Sequence, residues 1–482
     1  MERRQSIASG LIWKLLERFG VQGMSFVVSL ILARLLDPEH YGTLSMMTIF
    51  TYLAQVFIQN GFNTALVQKK DATDEDFSSV LWVTLGVTVL IYSVLFVAAP
   101  FIGAFYEMPD FAAPLRVLAL MLFPGTLNSI QLAIVSRRMD FKRVFVSSIA
   151  GIVLSGAAGI ALAYSGAGIW ALVAYNLLNA LTNCVVMWFT VKWRPLLVCN
   201  LKRVKGLFSY GWKILVSGLI DTLYADINSL VIGKKFDAGT LGYYNRGKQF
   251  PRFLIDGING AVQSVLLPAL SAEQDDGKKV KELTRNSMML SSYIVLPMMA
   301  GLAGVAIPMV RLLLTDKWLP CVPYLQIACF TFAFYPVHTS NLQAIKAMGR
   351  SDIYLKLEII KKTYGLVAVT IAVVCFDSPM AIALSGVVTT MLSFFVNAAP
   401  NKRLIGYSYV EQVRDILPYF AASLVMLVGV LAVGKLPFGD LIVMILQVIS
   451  GVVMYFAISA VFKLRPYLML LDMLKKRLKK QK

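Results

Sequence analysis

The segments LARLLDPEHYG (Leu32–Gly42) and IGKKFDAGTLG (Ile232–Gly242) lie about 200 residues apart and align without a gap. The alignment brings Asp37 onto Asp237 and Gly42 onto Gly242. Matched dipeptides flank this core at nearly the same offset: Trp13-Lys14 with Trp212-Lys213, and Asn60-Gly61 with Asn259-Gly260. Self-similarity at a fixed offset predicts two tandem copies of one structural unit.

The composition assigns these copies to a membrane protein. The chain has 482 residues, of which 57% are hydrophobic and 15% charged, and its mean hydropathy is +0.68. Soluble globular domains are close to half apolar and a quarter charged. Apolar runs of about 20 residues recur along the chain, and each can cross a hydrocarbon core of about 30 Å. We therefore predict an all-α polytopic membrane protein.

We expect about fourteen transmembrane helices from the positions of these runs. The predicted spans are 10–36, 41–67, 78–105, 112–136, 143–165, 168–192, 206–233, 240–269, 284–314, 321–346, 352–375, 379–401, 411–434 and 438–462. Their connections alternate between a basic set, such as SRRMDFKR, and a short, nearly neutral or acidic set, such as FDAGT. Because Lys and Arg concentrate in cytoplasmic loops, this alternation predicts that both termini are cytoplasmic. The formal charge of +19 then reflects topology and does not indicate nucleic-acid binding.

The repeat and the topology together predict the domain organisation. Six spans separate the two copies, so the copies share one orientation and form parallel repeats. We expect an N-lobe at 1–200, a C-lobe at 201–403, two additional spans at 404–463 and a basic amphipathic cytoplasmic tail at 464–482. The tail combines Leu and Met with Lys and Arg at helical spacing, which favours binding along the anionic inner leaflet.

Charged side chains inside the spans are the candidate functional residues, since each costs about 2.5–3.5 kcal/mol at a helix centre. They cluster in the repeat helices. The cationic members, predicted to line a substrate-binding cavity between the lobes, are Lys14, Arg18, Lys213, Arg246, Lys248 and Arg252. The carboxylates, predicted to act in coupling or as charge partners, are Glu17, Asp221, Asp226 and Asp256.

A structural interpretation competes with this one. Lys14, Arg18 and Lys213 lie close enough to a span end to reach the headgroups. Arg252 lies too deep for that, so facing an aqueous cavity with Asp256 as its partner is the preferred interpretation. A net cationic lining suits an anionic cargo, and the planar fork of Arg suits phosphate in particular.

Several other classes of site are disfavoured. The five cysteines are scattered and only two histidines are present, so neither a disulfide framework nor a metal site is predicted. GYYNRGKQ (Gly242–Gln249) fits G-x-x-x-x-G-K but ends in Gln, where a phosphate-binding loop needs Ser or Thr. No catalytic constellation, nucleotide-hydrolysing domain or cofactor motif is evident. We predict a transporter, not an enzyme, driven by an ion gradient or the membrane potential.

Four segments resemble the polysaccharide-transporter branch of the MOP flippase superfamily, in particular the Wzx-type, colanic-acid-exporter-like proteins. They are SGLIWK (from Ser9), LARLLDPEHYGTLS (from Leu32), NGFNTALVQKKD (from Asn60) and LLLTDKWLPCVPYLQIACF (Leu312–Phe330). VLLPALSAEQDD (Val265–Asp276) is also similar to that group. The segments occur in order over essentially the whole chain.

The resemblance implies a MATE-like fold of two six-helix lobes, often with two further helices. It implies that the protein moves undecaprenyl-pyrophosphate-linked oligosaccharide repeat units to the outer leaflet of a bacterial inner membrane, for O-antigen, capsule or exopolysaccharide. Partners would be this lipid, membrane lipids, and other assembly proteins such as a polymerase or chain-length regulator. A lipid II flippase and a multidrug or cation antiporter on the same fold remain alternatives, as do a polytopic polymerase or ligase and a non-transporting scaffold.

Overall fold

The computed structural model describes residue 13 and residues 20–59, 66, 67, 69 and 71–480. Within them the chain forms helices joined by short turns, with one-turn or two-turn 3₁₀ segments at Pro109–Phe111, Ala119–Met121 and Asp316–Cys321. The α-helices are α1 Gln22–Leu35, α2 Pro38–Gln59, α3 Asp74–Phe105, α4 Ala112–Leu118, α5 Leu122–Arg138, α6 Phe141–Tyr164, α7 Ile169–Thr190, α8 Leu201–Lys235, α9 Ala238–Ala272, α10 Gly277–Gly304, α11 Ala306–Leu314, α12 Val322–Ala333, α13 Tyr335–Ala347, α14 Ser351–Cys375, α15 Pro379–Leu404, α16 Tyr409–Val433, α17 Asp440–Val461 and α18 Arg465–Lys480.

Twelve helical segments of the described chain are long and apolar enough to cross a membrane. This confirms the predicted all-helical, multi-pass architecture. Two predicted spans are not among the twelve. The span at 10–36 begins outside the described residues, and its described helix α1 has 14 residues. The span at 352–375 corresponds to α14, whose first half carries Lys356, Glu358, Lys361 and Lys362. The count of fourteen stays a prediction.

The predicted repeat is visible in the backbone. Helix α1 ends at Leu35 and α8 at Lys235, while α2 begins at Pro38 and α9 at Ala238. The same hydrogen bond closes both preceding helices, from Leu36 N to Leu32 O and from Phe236 N to Ile232 O, each at 2.9 Å. The equivalent segments of the two copies therefore fold into the same helix–turn–helix corner.

The start of each second helix follows from its first residues. Pro38 supplies a preset helical φ at the first position of α2. Asp237 caps α9, because its carboxylate accepts hydrogen bonds from Thr240 N at 2.8 Å and from Thr240 Oγ1 at 2.7 Å. Burial alone would raise the pKa of Asp237, but the hydrogen bonds from Thr240 outweigh it and hold this pKa below its ordinary value.

Contacts divide the chain into two compact units, Met1–Gly242 and Tyr243–Lys482. The first unit thus includes α8, which the sequence analysis assigned to the C-lobe. The predicted lobe boundaries at residues 200, 403 and 463 stay a prediction.

Helix α8 is tied to α3 at both of its ends. Before α8, Leu196 N donates to Ser78 Oγ at 2.9 Å, and the Trp82 indole donates to Leu196 O at 2.8 Å. At the last turn of α8, Lys234 Nζ donates to Phe105 O at 2.7 Å and lies 3.0 Å from a carboxylate oxygen of Glu107. The segment before α8 is thus bonded to α3.

In the second unit, α16 and α17 are bonded to α10 by buried polar groups. The Tyr293 hydroxyl of α10 donates to Ser459 Oγ at 3.0 Å, and the Tyr455 hydroxyl donates to Tyr293 O at 2.9 Å. Arg285 of α10 binds Asp415 of α16 through two hydrogen bonds of 2.7 and 2.6 Å. Hydrogen bonds of this kind hold helices together where lipid supplies no hydrophobic driving force.

Replacing Asp415 by Ala should destabilise the protein by about 1–3 kcal/mol, because Arg285 and the buried Tyr407 hydroxyl lose their shared acceptor. Thermal unfolding in detergent measures the loss. Asp352→Ala is the matched control, since Arg350 binds Asp352 by the same two-bond geometry on an exposed surface. Equal unfolding temperatures for the two variants would contradict a structural role for Asp415.

Candidate functional site

A stripe of polar side chains runs along α9. Lys248, Arg252 and Asp256 recur every four residues, which places them on one side of the helix. Lys248 Nζ donates to the Tyr244 hydroxyl at 3.2 Å, and Arg252 Nε lies 3.5 Å from Asp256 Oδ2. The stripe is accessible, since 68% of the Arg252 side chain and 46% of the Asp256 side chain are exposed.

The C-terminal end of this stripe is held by a neighbouring helix of the same unit. Thr339 of α13 donates to Asn259 Oδ1 at 2.5 Å, one turn beyond Asp256. Tyr335, also on α13, lies near enough to Arg252 and Asp256 for their charges to act on it. The second unit therefore holds α9 in place, while the side chain of Arg252 stays exposed.

Arg246 lies elsewhere. It is only 3% exposed, and its guanidinium carbon is 5.6 Å from the centre of the buried Trp318 ring. Nη1 donates to Gln249 Oε1 at 2.6 Å. Next to it, Gly247 packs so closely on the chain at Leu325 that an added Cβ would be 2.8 Å from the Leu325 amide. The structure brings Lys248, Arg252 and Asp256 together and places Arg246 within the packing, so its substrate-binding role stays a prediction.

The candidate acids on α8 occupy different positions. Asp221 is exposed, as is Ser217 one turn earlier on the same face, whereas Asp226 is half-buried. Lys213 belongs to α8, but its side chain lies outside the described residues, as do Lys14, Glu17 and Arg18 entirely. Their predicted roles in the cavity stay predictions.

Neutral side chains contribute to the site, and the sequence analysis did not identify them. Tyr244 is 4% exposed and supports Lys248, while Thr339 fixes Asn259. The four-residue spacing of Tyr244 and Lys248 could have predicted that their side chains meet on one face of α9. No local pattern connects Thr339 with Asn259, because they are brought together only by tertiary packing.

Glu358 and Lys361, three residues apart on α14, form an ion pair. Lys361 Nζ is 2.5 Å from Glu358 Oε1, and both side chains are largely buried. Nearby on α13, His338 Nδ1 lies 3.3 Å from the Asn397 amide nitrogen. In the described part of the chain, no cluster of three His, Cys, Asp or Glu residues could hold a metal ion.

The exposed stripe fits a watery surface, not a lipid-facing one. An Arg directed into hydrocarbon costs about 2.5–3.5 kcal/mol or more, and Arg252 is fourteen residues past the start of a helix long enough to span the membrane. Its partner Asp256 is itself exposed, so the pair does not form a dry, closed ion pair. The stripe can attract an anion through Lys248 and Arg252 while Asp256 tempers that attraction.

The fold resembles those of two solved membrane transporters, at sequence identities that establish a shared fold alone. The lipid II flippase MurJ in an inward closed conformation superimposes with a TM-score of 0.74 at 14% identity, covering 94% of this chain and 98% of that one. An inward-facing multidrug resistance MATE family transporter of the MOP superfamily gives a TM-score of 0.58 at 16% identity, covering 81% and 98%. The predicted MATE-like fold is thus confirmed.

A family model described as polysaccharide biosynthesis protein matches residues 31–323. The chain belongs to this family. Similar proteins are the teichuronic acid biosynthesis protein TuaB of Bacillus subtilis (strain 168), 26% identical over 72% of this chain and 73% of TuaB, and the lipopolysaccharide biosynthesis protein WzxC of Escherichia coli (strain K12), 24% identical over 92% and 90%. The succinoglycan biosynthesis transport protein ExoT of Rhizobium meliloti (strain 1021) is 25% identical over 86% and 82%. The resemblance found in the sequence is confirmed.

Water exposure of the stripe can be tested by thiol labelling. Arg252→Cys should react in membranes with a charged, water-soluble thiol reagent, because the position faces an aqueous surface. Val265→Cys is the matched control on the same helix, since Val265 is 70% exposed but apolar and should face lipid. The exposed Cys199 and Cys375 are first replaced by Ser. Equal labelling of both positions would contradict the assignment.

Proposed function

We propose that this protein is a flippase that moves polyprenyl-pyrophosphate-linked oligosaccharide repeat units, with undecaprenol as the lipid, across the bacterial inner membrane. The units would feed the synthesis of O-antigen, capsule or exopolysaccharide. Family membership and the names of TuaB, WzxC and ExoT support the polysaccharide assignment. The observation that carries the proposal is the Lys248–Arg252–Asp256 stripe, with the Arg252 side chain 68% exposed, on a helix long and apolar enough to span the membrane.

The charges of the stripe suit a cargo whose charged head must pass through the hydrocarbon of the membrane. A diphosphate bearing sugars cannot cross about 30 Å of hydrocarbon unaided, whereas a polyprenyl tail can remain in the lipid. Arg252 presents a planar fork that can bind two phosphate oxygens, and Lys248 adds a point charge one turn away. Asp256 lies within 3.5 Å of Arg252 and keeps the site from holding the diphosphate too tightly.

The other candidate charges extend this proposal. Lys14, Arg18 and Lys213 would add to the cationic lining, and Arg246 would support the outer part of α9 from within the packing. Glu17, Asp221 and Asp226 are candidates for coupling transport to an ion gradient. Asp221 is exposed on α8, so it is the acid among them whose described side chain is most accessible.

The proposed location is the inner membrane, with both termini in the cytoplasm. The basic connections and the tail helix α18, which carries several Lys and Arg residues after the last span, support this orientation. The protein would act without catalytic groups or a cofactor, in contact with the lipid-linked substrate. A polymerase and a chain-length regulator are proposed partners that would receive its product.

A lipid II flippase is the second candidate, favoured by the TM-score of 0.74 to MurJ. Because the sequence identity is 14%, this similarity supports a shared fold but not a shared substrate. A multidrug or cation antiporter on this fold would need an acidic lining, whereas the accessible stripe of α9 carries two cations and one carboxylate.

Reconstitution tests the proposal directly. The protein in liposomes should move a fluorescent polyprenyl-pyrophosphate oligosaccharide between leaflets, measured by quenching from outside. Lipid II and a cationic dye serve as competing cargos in parallel liposomes. Preferred movement of lipid II, or export of the dye alone, would replace the proposal by the corresponding alternative, and absence of all movement would remove it.

Arg252→Gln should lower the translocation rate about tenfold or more, because a charge-assisted bond to phosphate contributes about 1.5–3 kcal/mol. The translocation rate of Arg252→Lys should lie between those of the parent protein and Arg252→Gln, since Lys keeps the charge but lacks the planar guanidinium. Arg350→Gln is the control, an exposed Arg paired with Asp352 outside the twelve spans. Unchanged rates at equal protein amounts would assign Arg252 a purely structural role.

A further inference from the structure

Helix α17 packs on the second unit through one narrow face. Its buried residues recur at every fourth position, and they are Val443, Gln447, Gly451, Tyr455 and Ser459. Side chains between them are apolar and exposed, as at Val448 and Val453, which suits contact with lipid. Three of the five buried residues carry a hydroxyl or an amide, and such groups need protein partners because hydrocarbon offers none.

Tyr455 bonds to a carbonyl that a proline deprives of its helical donor. In an α-helix each N–H donates to the carbonyl four residues earlier, and proline has no N–H. Pro297 lies inside α10, so it cannot donate to Tyr293 O. The Tyr455 hydroxyl donates to this oxygen instead, at 2.9 Å. The Tyr293 hydroxyl in turn donates to Ser459 Oγ at 3.0 Å, so two hydrogen bonds join α10 and α17 at this level.

Gln447 stands in the same relation to a second proline. Pro308 of α11 cannot donate to Gly304 O, four residues earlier at the end of α10. Gln447 Nε2 donates to Gly304 O at 3.3 Å and to Val430 O of α16 at 3.0 Å. Helices α10 and α16 are close here, since an added Cβ on Gly304 would lie 2.7 Å from Val430 Cγ1. One side chain of α17 therefore joins α10 and α16 at the point where α10 ends and α11 follows.

The first unit satisfies a proline-deprived carbonyl in the same way. Pro100 lies inside α3 and leaves Phe96 O without its helical donor. Arg116 Nε of α4 donates to Phe96 O at 3.0 Å. In three cases, then, a side chain from another helix supplies the donor that a proline lacks. This recurrence indicates a match between donor and proline, beyond the general packing of polar groups.

We propose that α17 is a brace for α10: Tyr455 and Gln447 supply the donors that Pro297 and Pro308 lack, and they thereby hold α10 in one shape during transport. A helix interrupted by proline has fewer hydrogen bonds of its own to resist bending. The bonds from α17 restore that resistance at both interruptions. Helix α17 is thus a required part of the transporting unit.

The brace acts on the charged stripe of α9 through α13. Helix α10 packs against α13, and Thr339 of α13 donates to Asn259 Oδ1 of α9. Asn259 lies one turn beyond Asp256, the last charge of the stripe. Tyr455 and Gln447 are therefore positioning residues that touch no cargo, and this role rests on the proposed function.

A double-mutant cycle on the full-length protein tests the brace. Tyr455→Phe removes the hydroxyl and keeps the ring, and it is made both in the parent protein and in a Pro297→Ala background. Tyr419→Phe is the matched control, because the Tyr419 ring also packs on Tyr293, with 5.9 Å between ring centres. In the described chain the Tyr419 hydroxyl bonds to no carbonyl of α10. Unfolding temperature in detergent and translocation of a fluorescent polyprenyl-pyrophosphate oligosaccharide in liposomes are measured for each variant.

In the parent protein, Tyr455→Phe should lower the unfolding temperature by about 2–4 °C, because Tyr293 O loses its donor from α17. In the Pro297→Ala background the loss should fall to about half or less, since the N–H of residue 297 can then donate to Tyr293 O. Tyr419→Phe should lower the unfolding temperature equally in both backgrounds.

Transport separates positioning from stability. Tyr455→Phe combined with Gln447→Met should lower the translocation rate about threefold to tenfold, measured at a temperature where the variant is fully folded. Tyr419→Phe should translocate as the parent protein does.

Three results overturn the inference. An equal loss of unfolding temperature from Tyr455→Phe in both backgrounds shows that its hydroxyl does not replace the missing donor. Equal losses for Tyr455→Phe and Tyr419→Phe in the parent protein show the same, and this comparison holds even where Pro297→Ala does not fold. Unchanged translocation in the Tyr455→Phe, Gln447→Met protein removes the positioning role. If the cycle shows the expected coupling but the parent protein moves no polyprenyl-linked sugar, the brace stands and the proposed cargo is wrong.

Discussion

The bilayer interior offers no partner for a peptide group or a charge, so a charged side chain within a span needs a protein partner or water. Two arrangements of charged pairs in the described chain meet this need: a bond between two helices, and exposure at a surface. Arg285 and Asp415 show the first solution, a short two-bond contact that joins two helices of one unit. Arg252 and Asp256 show the second, a contact of 3.5 Å between two partly exposed side chains on one helix. The proposed function uses a pair of this second kind.

The sequence predicted the helices well, because runs of about 20 apolar residues have few alternatives to a membrane span. It also located the corners of the repeat, since Asp237 and Pro38 carry local information about where a helix starts. It could not separate Arg246 from Arg252. Both lie on α9, and their six-residue spacing turns them about 120° apart around the helix, but which direction is packed depends on Trp318, far along the chain. Long-range packing leaves no local signature.

The similarity to known proteins and the site contribute different parts of the conclusion. Membership of the polysaccharide biosynthesis family links the chain to that process, and the fold is shared with MurJ and MATE proteins. Neither states what the protein holds during transport. Under the proposed function, Lys248 and Arg252 of α9 would supply the positive charge that a diphosphate needs at membrane depth.

The attachment of α8 to α3 has a consequence for which residues of the chain can vary. The two copies of the internal repeat are joined near residue 200. Ser78 and Trp82 of α3 form hydrogen bonds with Leu196 just before this junction, and Lys234 at the last turn of α8 donates to Phe105 O. Helix α8, the first helix of the second copy, thus belongs to the same compact unit as the first copy. Ser78, Trp82 and Lys234 bond here to backbone atoms of Leu196 and Phe105, so these contacts restrict the bonding side chains and not the residue types to which they bond.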